Sequence, residues 1–122
     1  MPLKEKRGSV SEDLFSGPWG RIAYDHQSTQ TIRFQKTDKC NPITYSYPYR
    51  SLSRWEYHKA SSGDEIIIQA VTDTVTISGD NLETLVEALD EGRLHLVREM
   101  GDEFVVSASP IRVKSIVVRG PA

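Results

Sequence analysis

The sequence predicts an α+β fold: a mainly antiparallel curved sheet or partly open barrel of about seven short strands with one principal helix, at about 80–91. Two observations predict it. Apolar residues recur at period two in short runs bounded by turn residues, and these runs follow one another as hairpins with no helices between them. One stretch alone breaks the pattern: Leu82, Leu85, Val86 and Leu89 stand at i, i+3, i+4 and i+7, a single face of a helix.

Taken in order, residues 1–16 read as a flexible polar arm, with one helical turn over Ser9–Phe15 capped by Ser11 and anchored by Leu14 and Phe15. Residues 17–120 then form a single globular domain. Gly17-Pro18-Trp19-Gly20 is a turn, and Trp19 inside it is a core plug at the sheet edge. Arg21–Tyr24 and Thr31–Lys36 are short strands, alternating through Ile22, Tyr24, Ile32 and Phe34. The polar loop His26–Thr29 between them has hairpin length. Thr37–Pro42 is a further loop.

Ile43–His58, ITYSYPYRSLSRWEYH, is the most unusual segment. Read as one strand, it sends Tyr45, Tyr47, Tyr49, Trp55 and Tyr57 to one face and Arg50, Arg54, Glu56 and His58 to the other. Two residues resist this. Pro48 has no ladder donor, so the strand breaks there or lies at an edge, and Leu52 falls on the charged face. A break near Pro48, a turn through Arg50–Ser53 and a new strand from Arg54 fit equally well.

Ser61–Asp64 is a turn and Glu65–Val71 a strand, with Ile66, Ile68 and Ala70 on one face and Ile67 and Val71 on the other. Thr72-Asp73 turns it into the strand of Val75 and Ile77. The order YPYRSLSRWEYH, turn, EIIIQAV, TVTISG resembles the strand meander of pleckstrin-homology-like domains. Those domains end in their main helix, whereas two or three more strands follow here, and no function is carried over from the likeness.

Gly79 frees the backbone for a turn, and Asp80 with Glu83 has the capping-box spacing. Those acids would occupy the positive end of the helix and leave no place for a phosphate. Gly92 is placed for a left-handed helix stop. Leu94–Met100 is a strand with Leu94 and Leu96 on one side and His95, Val97 and Glu99 on the other. Gly101-Asp102-Glu103 turns it toward Phe104–Val106. Ile111–Arg119 is the last strand, and its in–out phase shifts near Ser115, the mark of a bulge or of burial on both faces.

Composition narrows function mainly by exclusion. With 38% hydrophobic and 26% charged residues the chain can bury an ordinary core. Net charge is −2, but residues 1–60 carry ten Lys/Arg against six Asp/Glu, and residues 61–122 five against eleven. That split marks two electrostatic faces, unless the halves interleave in the sheet and mix the charges. Cys40 alone cannot form an internal disulfide and fits a reducing compartment. MPLKEKRGSV lacks the apolar region of a signal peptide, and no apolar run approaches the ~18 residues of a membrane span, so the cytoplasm is expected.

No nucleophile elbow, P-loop, dinucleotide fingerprint or paired metal spacing occurs, so neither a catalytic residue, a cofactor nor a metal is assigned. His26, His58, His95 and Cys40 lack zinc-site spacing, and Cys40, though beside Lys39, reads as an incidental loop cysteine. The one constellation with chemical character is Arg50, Arg54, Trp55, Tyr57, His58 and Lys59, together with Tyr49. Basic residues among aromatics can neutralise phosphates and stack bases, yet on one strand the two sets face opposite ways. Glu83, Glu87 and Glu91 form an acidic helix stripe that is solvated or meets a basic partner. The expected function is a small non-catalytic interaction module binding a protein, itself or a larger partner. A nucleic-acid-binding domain using residues 45–59 is the alternative, and a small-ligand binder or an enzyme without a recognisable motif comes third; no membrane is expected among its partners.

Overall fold

Period-two alternation becomes strands whose apolar sides face one another across two sheets. The computed structural model describes residues 16–24, 29–38, 41–100 and 110–120. The Ser9–Phe15 turn, His26, Lys39, Cys40, the Gly101–Glu103 turn and Phe104–Val106 lie outside the described residues.

The strands are β1 (Ser16–Gly17), β2 (Gly20–Ile22), β3 (Thr31–Asp38), β4 (Asn41–Pro48), β5 (Leu52–Ala60), β6 (Gly63–Ala70), β7 (Thr74–Asp80), β8 (Leu94–Arg98) and β9 (Arg112–Arg119). The helix α1 (Glu83–Asp90) lies between β7 and β8. One sheet has the order β1-β2-β8-β3-β4 and the other β5-β6-β7-β9, and they do not close into a barrel. Every pairing is antiparallel except β3 with β8. The α+β class holds, with one principal helix among mainly antiparallel strands. Trp19, Ile32, Phe34, Ile66, Ile68, Val75, Ile77, Leu82, Leu85, Leu94, Val97, Val113 and Ile116 are fully buried in one core. Trp19 is the core plug its turn suggested.

The loop after β2 has hairpin length, but β2 and β3 are not neighbours. β8 enters between them, antiparallel to β2 and parallel to β3. Its in–out pattern also differs from simple alternation. Leu96 pairs with Arg21 and Leu94 with Ile22, so His95 is the extra residue of a bulge. The bulge turns Leu94 and Val97 inward and leaves Leu96 on the outer face. The phase shift near Ser115 is likewise a bulge: Ser115 opposes Ser78 and Val113 opposes Gly79, with Lys114 left over.

The helix begins later than its capping pattern implies. Asp80 ends β7 and pairs with Lys114 at 3.3 Å, and Asn81 takes the left-handed corner at φ 58. The N-cap is Leu82, without a side-chain cap of its own. Its N–H donates to Asp64 Oδ2 at 2.9 Å. The acid at this helix end therefore comes from β6, not from the Asp80–Glu83 box. Gly79 explains the delay. It lies within the ladder, where a Cβ would sit 1.9 Å from the Arg112 carbonyl, so its missing side chain serves strand contact and not a turn. Leu82, Leu85 and Leu89 are buried as their spacing implied, Ala88 joins them and Val86 is half-buried. Gly92 at φ 69 stops the helix, with Gly92 N–H on Leu89 O and Arg93 N–H on Ala88 O.

A seam between the sheets runs along β3 and β9. The Glu99 carboxylate accepts the Thr37 N–H at 3.1 Å and the Ile116 N–H at 2.7 Å. Lys36 Nζ donates to Ile116 O at 3.0 Å and lies 3.7 Å from the same carboxylate. Met100 N–H then bonds Val113 O, so the end of β8 reaches across to the second sheet.

Three outcomes follow for stability in urea. Gly79→Ala forces β7 from β9 and costs about 3 kcal/mol, whereas Gly92→Ala meets no atom and costs about 1–2 kcal/mol for its left-handed φ alone. Glu99→Ala orphans the part-buried Ile116 N–H, leaves the exposed Thr37 N–H to water and costs about 1–3 kcal/mol.

Candidate functional site: a basic sheet face beside an open strand edge

The Tyr45–Lys59 segment is broken at Pro48. β4 ends there, a 3-10 turn spans Tyr49–Ser51, and β5 starts in the other sheet. Its aromatic residues turn inward and its charges outward, as the alternation implied. Tyr47 OH donates to Asp73 at 2.6 Å and Tyr49 OH to Leu94 O at 2.6 Å. Burial raises both phenols well above the ordinary range; for Tyr47 the Asp73 carboxylate adds to it. Trp55 Nε1 donates to Asp90 on α1 at 2.8 Å. Tyr57 OH donates to the buried Asp64 at 2.9 Å, and desolvation followed by this bond pushes the phenol up to about 12.

On the outer side, Arg54 and His58 both bond Glu56. Arg54 and then His58 hold that carboxyl below its usual range. Arg50 is exposed in the 3-10 turn. Lys59 borders a groove of about 490 Å³ that also holds Asp64, Asp80 and Arg112. Glu83 and Glu87 on α1 and Glu91 at its C-cap are all exposed, and Glu91 pairs with Arg93. The cations and aromatics of this segment therefore do not share a surface.

A second constellation does. Ladder registers set Ser46, Arg33, Leu96 and Arg21 side by side in one row across β4, β3, β8 and β2. The next row is Thr44, Gln35 and Arg98. All seven point to the outer face of the five-stranded sheet, because their strand neighbours Ile32, Phe34, Tyr47, Val97 and Ile22 point into the core. Arg21, Arg33 and Arg98 are exposed. Arg98 Nε donates to Gln35 at 2.8 Å. No Asp or Glu occupies an outward position of these strands among the described residues. Two strand spacings separate the backbones of Arg21 and Arg33, about 10 Å.

His95, the bulge residue, reports this field. Its Nδ1 lies 3.2 Å from Thr29 Oγ1. Burial lowers its pKa first, and the Arg33 and then the Arg21 guanidinium lower it further. The site was missed in the sequence because its members come from four strands whose adjacency depends on the parallel β3–β8 pairing. Only the Ile32-Arg33-Phe34-Gln35 alternation pointed there.

The row ends at β4, an edge of its sheet. Gln35 O bonds Glu99 N–H and Thr37 N–H bonds Glu99, both away from β4. Their register partners Thr44 and Pro42 therefore direct backbone groups outward, and so do Ser46 and Pro48. Both prolines fall where a missing N–H breaks no ladder bond. Beside this edge lies a groove of about 390 Å³, lined by Tyr45–Pro48, Ser51 and the turn Val71–Asp73. Val71 is 80% exposed at its rim.

Neither groove carries a histidine. Among the described residues no cluster of three His, Cys, Asp or Glu side chains could hold a metal, and no helix is long and apolar enough to cross a membrane. Compared with known protein families, curated proteins and solved structures, the chain matches none.

The arginine field is measurable. The folded pKa of His95 lies below the unfolded value of about 6.5, so the native state favours the neutral ring. Its contribution to stability is present above that value and falls away as pH drops below it. Arg33→Gln is expected to raise the ring's pKa in an NMR titration; no movement means that the guanidinium does not act on it.

Proposed function

We propose that the chain is a small non-catalytic interaction module that takes an extended segment of a protein partner as an added strand along β4. The carrying observation is the character of that edge. β4 is eight residues long, NPITYSYP, without one charged side chain. Strand edges in monomeric proteins are blunted by brevity, by charge or by cover. β1 has two residues. β5 carries Arg54, Glu56, His58 and Lys59. β9 has Ile116 N–H and C=O taken by Glu99 and Lys36. β4 has only its two prolines, which leave the outward groups of Thr44 and Ser46 between them.

A strand laid there gains backbone hydrogen bonds for affinity, while alternate side chains meet the outer sheet face and the Val71 groove for specificity. A partner fits better than a second copy, since two copies joined edge to edge would extend one face lined by arginines only. On this reading the module works in the cytoplasm, in keeping with its single cysteine.

Ser46→Pro tests it, because it removes an outward donor and no ladder bond. Partners held by the immobilised wild type should be retained at least tenfold less by the variant, with little change in its melting temperature. Undiminished capture by Ser46→Pro and by Thr44→Pro would rule out strand addition at β4.

A further inference from the structure

We infer that the segment received by β4 alternates acidic and apolar residues, its acids lying over the arginine face and its apolar side chains over the Val71 groove. This rests on the strand-addition reading and names the chemistry of the partner. An added strand lies one spacing beyond β4 and about 10 Å from the backbone of β3. Its side chains that share a face with Ser46 and Thr44 stand over the outer face of the sheet. Ser46 and Thr44 are short, so nothing tall separates those positions from Arg33. A guanidinium reaches inward to outward across such a gap, and a glutamate reaches back. Leu96 and Arg21 continue the same row, so a chain turning in from the edge meets an apolar contact and a second guanidinium. Arg98 stands in the second row, fixed by Gln35.

The opposite side of the added strand meets different chemistry. Tyr45 is half-buried there, Ile43 is 38% exposed, and Val71 rises from the rim of the groove. The Asp73 carboxylate, which accepts the Tyr47 OH, also lies in this groove and disfavours further acids on this side of the added strand. Apolar residues at alternate positions match it. Carboxylates on both sides would waste half their charge, and lysines would place cations beside Arg33 with no acid among the described outward residues to balance them.

Nucleic acid fits less well. The outward positions of β2, β8, β3 and β4 include no aromatic side chain, so bases have nothing to stack on. Three arginines alone would neutralise about three phosphates, a small share of what duplex binders use.

The probe is a nine-residue peptide alternating glutamate and valine, labelled and titrated with the full chain by fluorescence anisotropy. Comparison peptides replace the glutamates by serine or by lysine, and a twelve-nucleotide single strand is the nucleic-acid arm. We expect the glutamate peptide to bind at least tenfold more tightly than the serine peptide and the lysine peptide not to bind. Arg33→Glu should remove that preference, and Ser46→Pro should weaken all binding. Glutamate and serine peptides binding alike, both lost in Ser46→Pro, would overturn the acidic assignment and keep strand addition. Glutamate binding that survives Ser46→Pro but not Arg33→Glu would overturn the strand geometry itself. Tighter binding of the oligonucleotide than of any peptide would overturn the inference in favour of nucleic acid.

Discussion

The Glu99 carboxylate joins the two sheets along the seam between β3 and β9, and much of the remaining architecture follows from that junction. One group receives an N–H from each sheet, while Lys36 balances its charge and bonds the adjacent carbonyl. An ordinary backbone ladder cannot form here, because β9 belongs to the second sheet and β3 already has β8 and β4 on its two sides. Side chains therefore complete what the main chain leaves unpaired. A carboxylate accepting two N–H bonds is stronger than neutral bonds in the same place. With one side joined in this way, the opposite side is left to α1, whose Asp90 bonds Trp55 of β5.

Asp64 has the corresponding role at that second side. It is the buried acid of the core region, 7% exposed, and accepts Tyr57 OH and the Leu82 N–H. A buried carboxylate is tolerated only where donors replace its water. Here the donors are the first N–H of the helical region and a phenol from β5, so one group fixes strand, strand and helix together. The helix end is satisfied from across the structure, which is why its local capping spacing was misleading. Asp80, three residues before Glu83, is held in the ladder by its register with Arg112 and by Lys114. A strand commitment at Gly79 outweighed a capping pattern worth about 1 kcal/mol.

What could be read from the sequence was whatever depends on neighbours along the chain. The strand phases of Ile66, Ile68, Val75 and Ile77, the helix stripe, the Gly92 stop and the bulge near Ser115 are all local, and all appear. What could not be read depends on pairing at a distance. The parallel β3–β8 ladder separates β2 from β3, and a single extra residue, His95, reverses the direction of Leu96. Period two is sensitive to such insertions, because one residue moves every later side chain to the other face. The arginine row exists only after both events. The position of Pro48 shows the same limit in reverse. Its lack of a donor implied either a break or an edge, and the structure has both at once.

The edge and the row also bear on each other. β4 carries no charge, and on the proposed reading its two prolines limit how far a partner strand can zip. Between them stand Thr44 and Ser46, whose small side chains carry no charge and take up little height. A longer residue at either position would screen Arg33 from the edge, and an acid would neutralise it within the fold. The same two positions thus determine both how much backbone is offered and whether the charge behind it can be felt. Arg33 stands exposed beside that opening, with no ion pair among the described residues, and its guanidinium lowers the pKa of His95 one strand further in. An edge that needed only to stay solvated would gain most from a charged residue at 44 or 46. On the outer face the nearest charge is instead Arg33, one strand back, where on the proposed reading it selects among strands without repelling the backbone groups that would receive them.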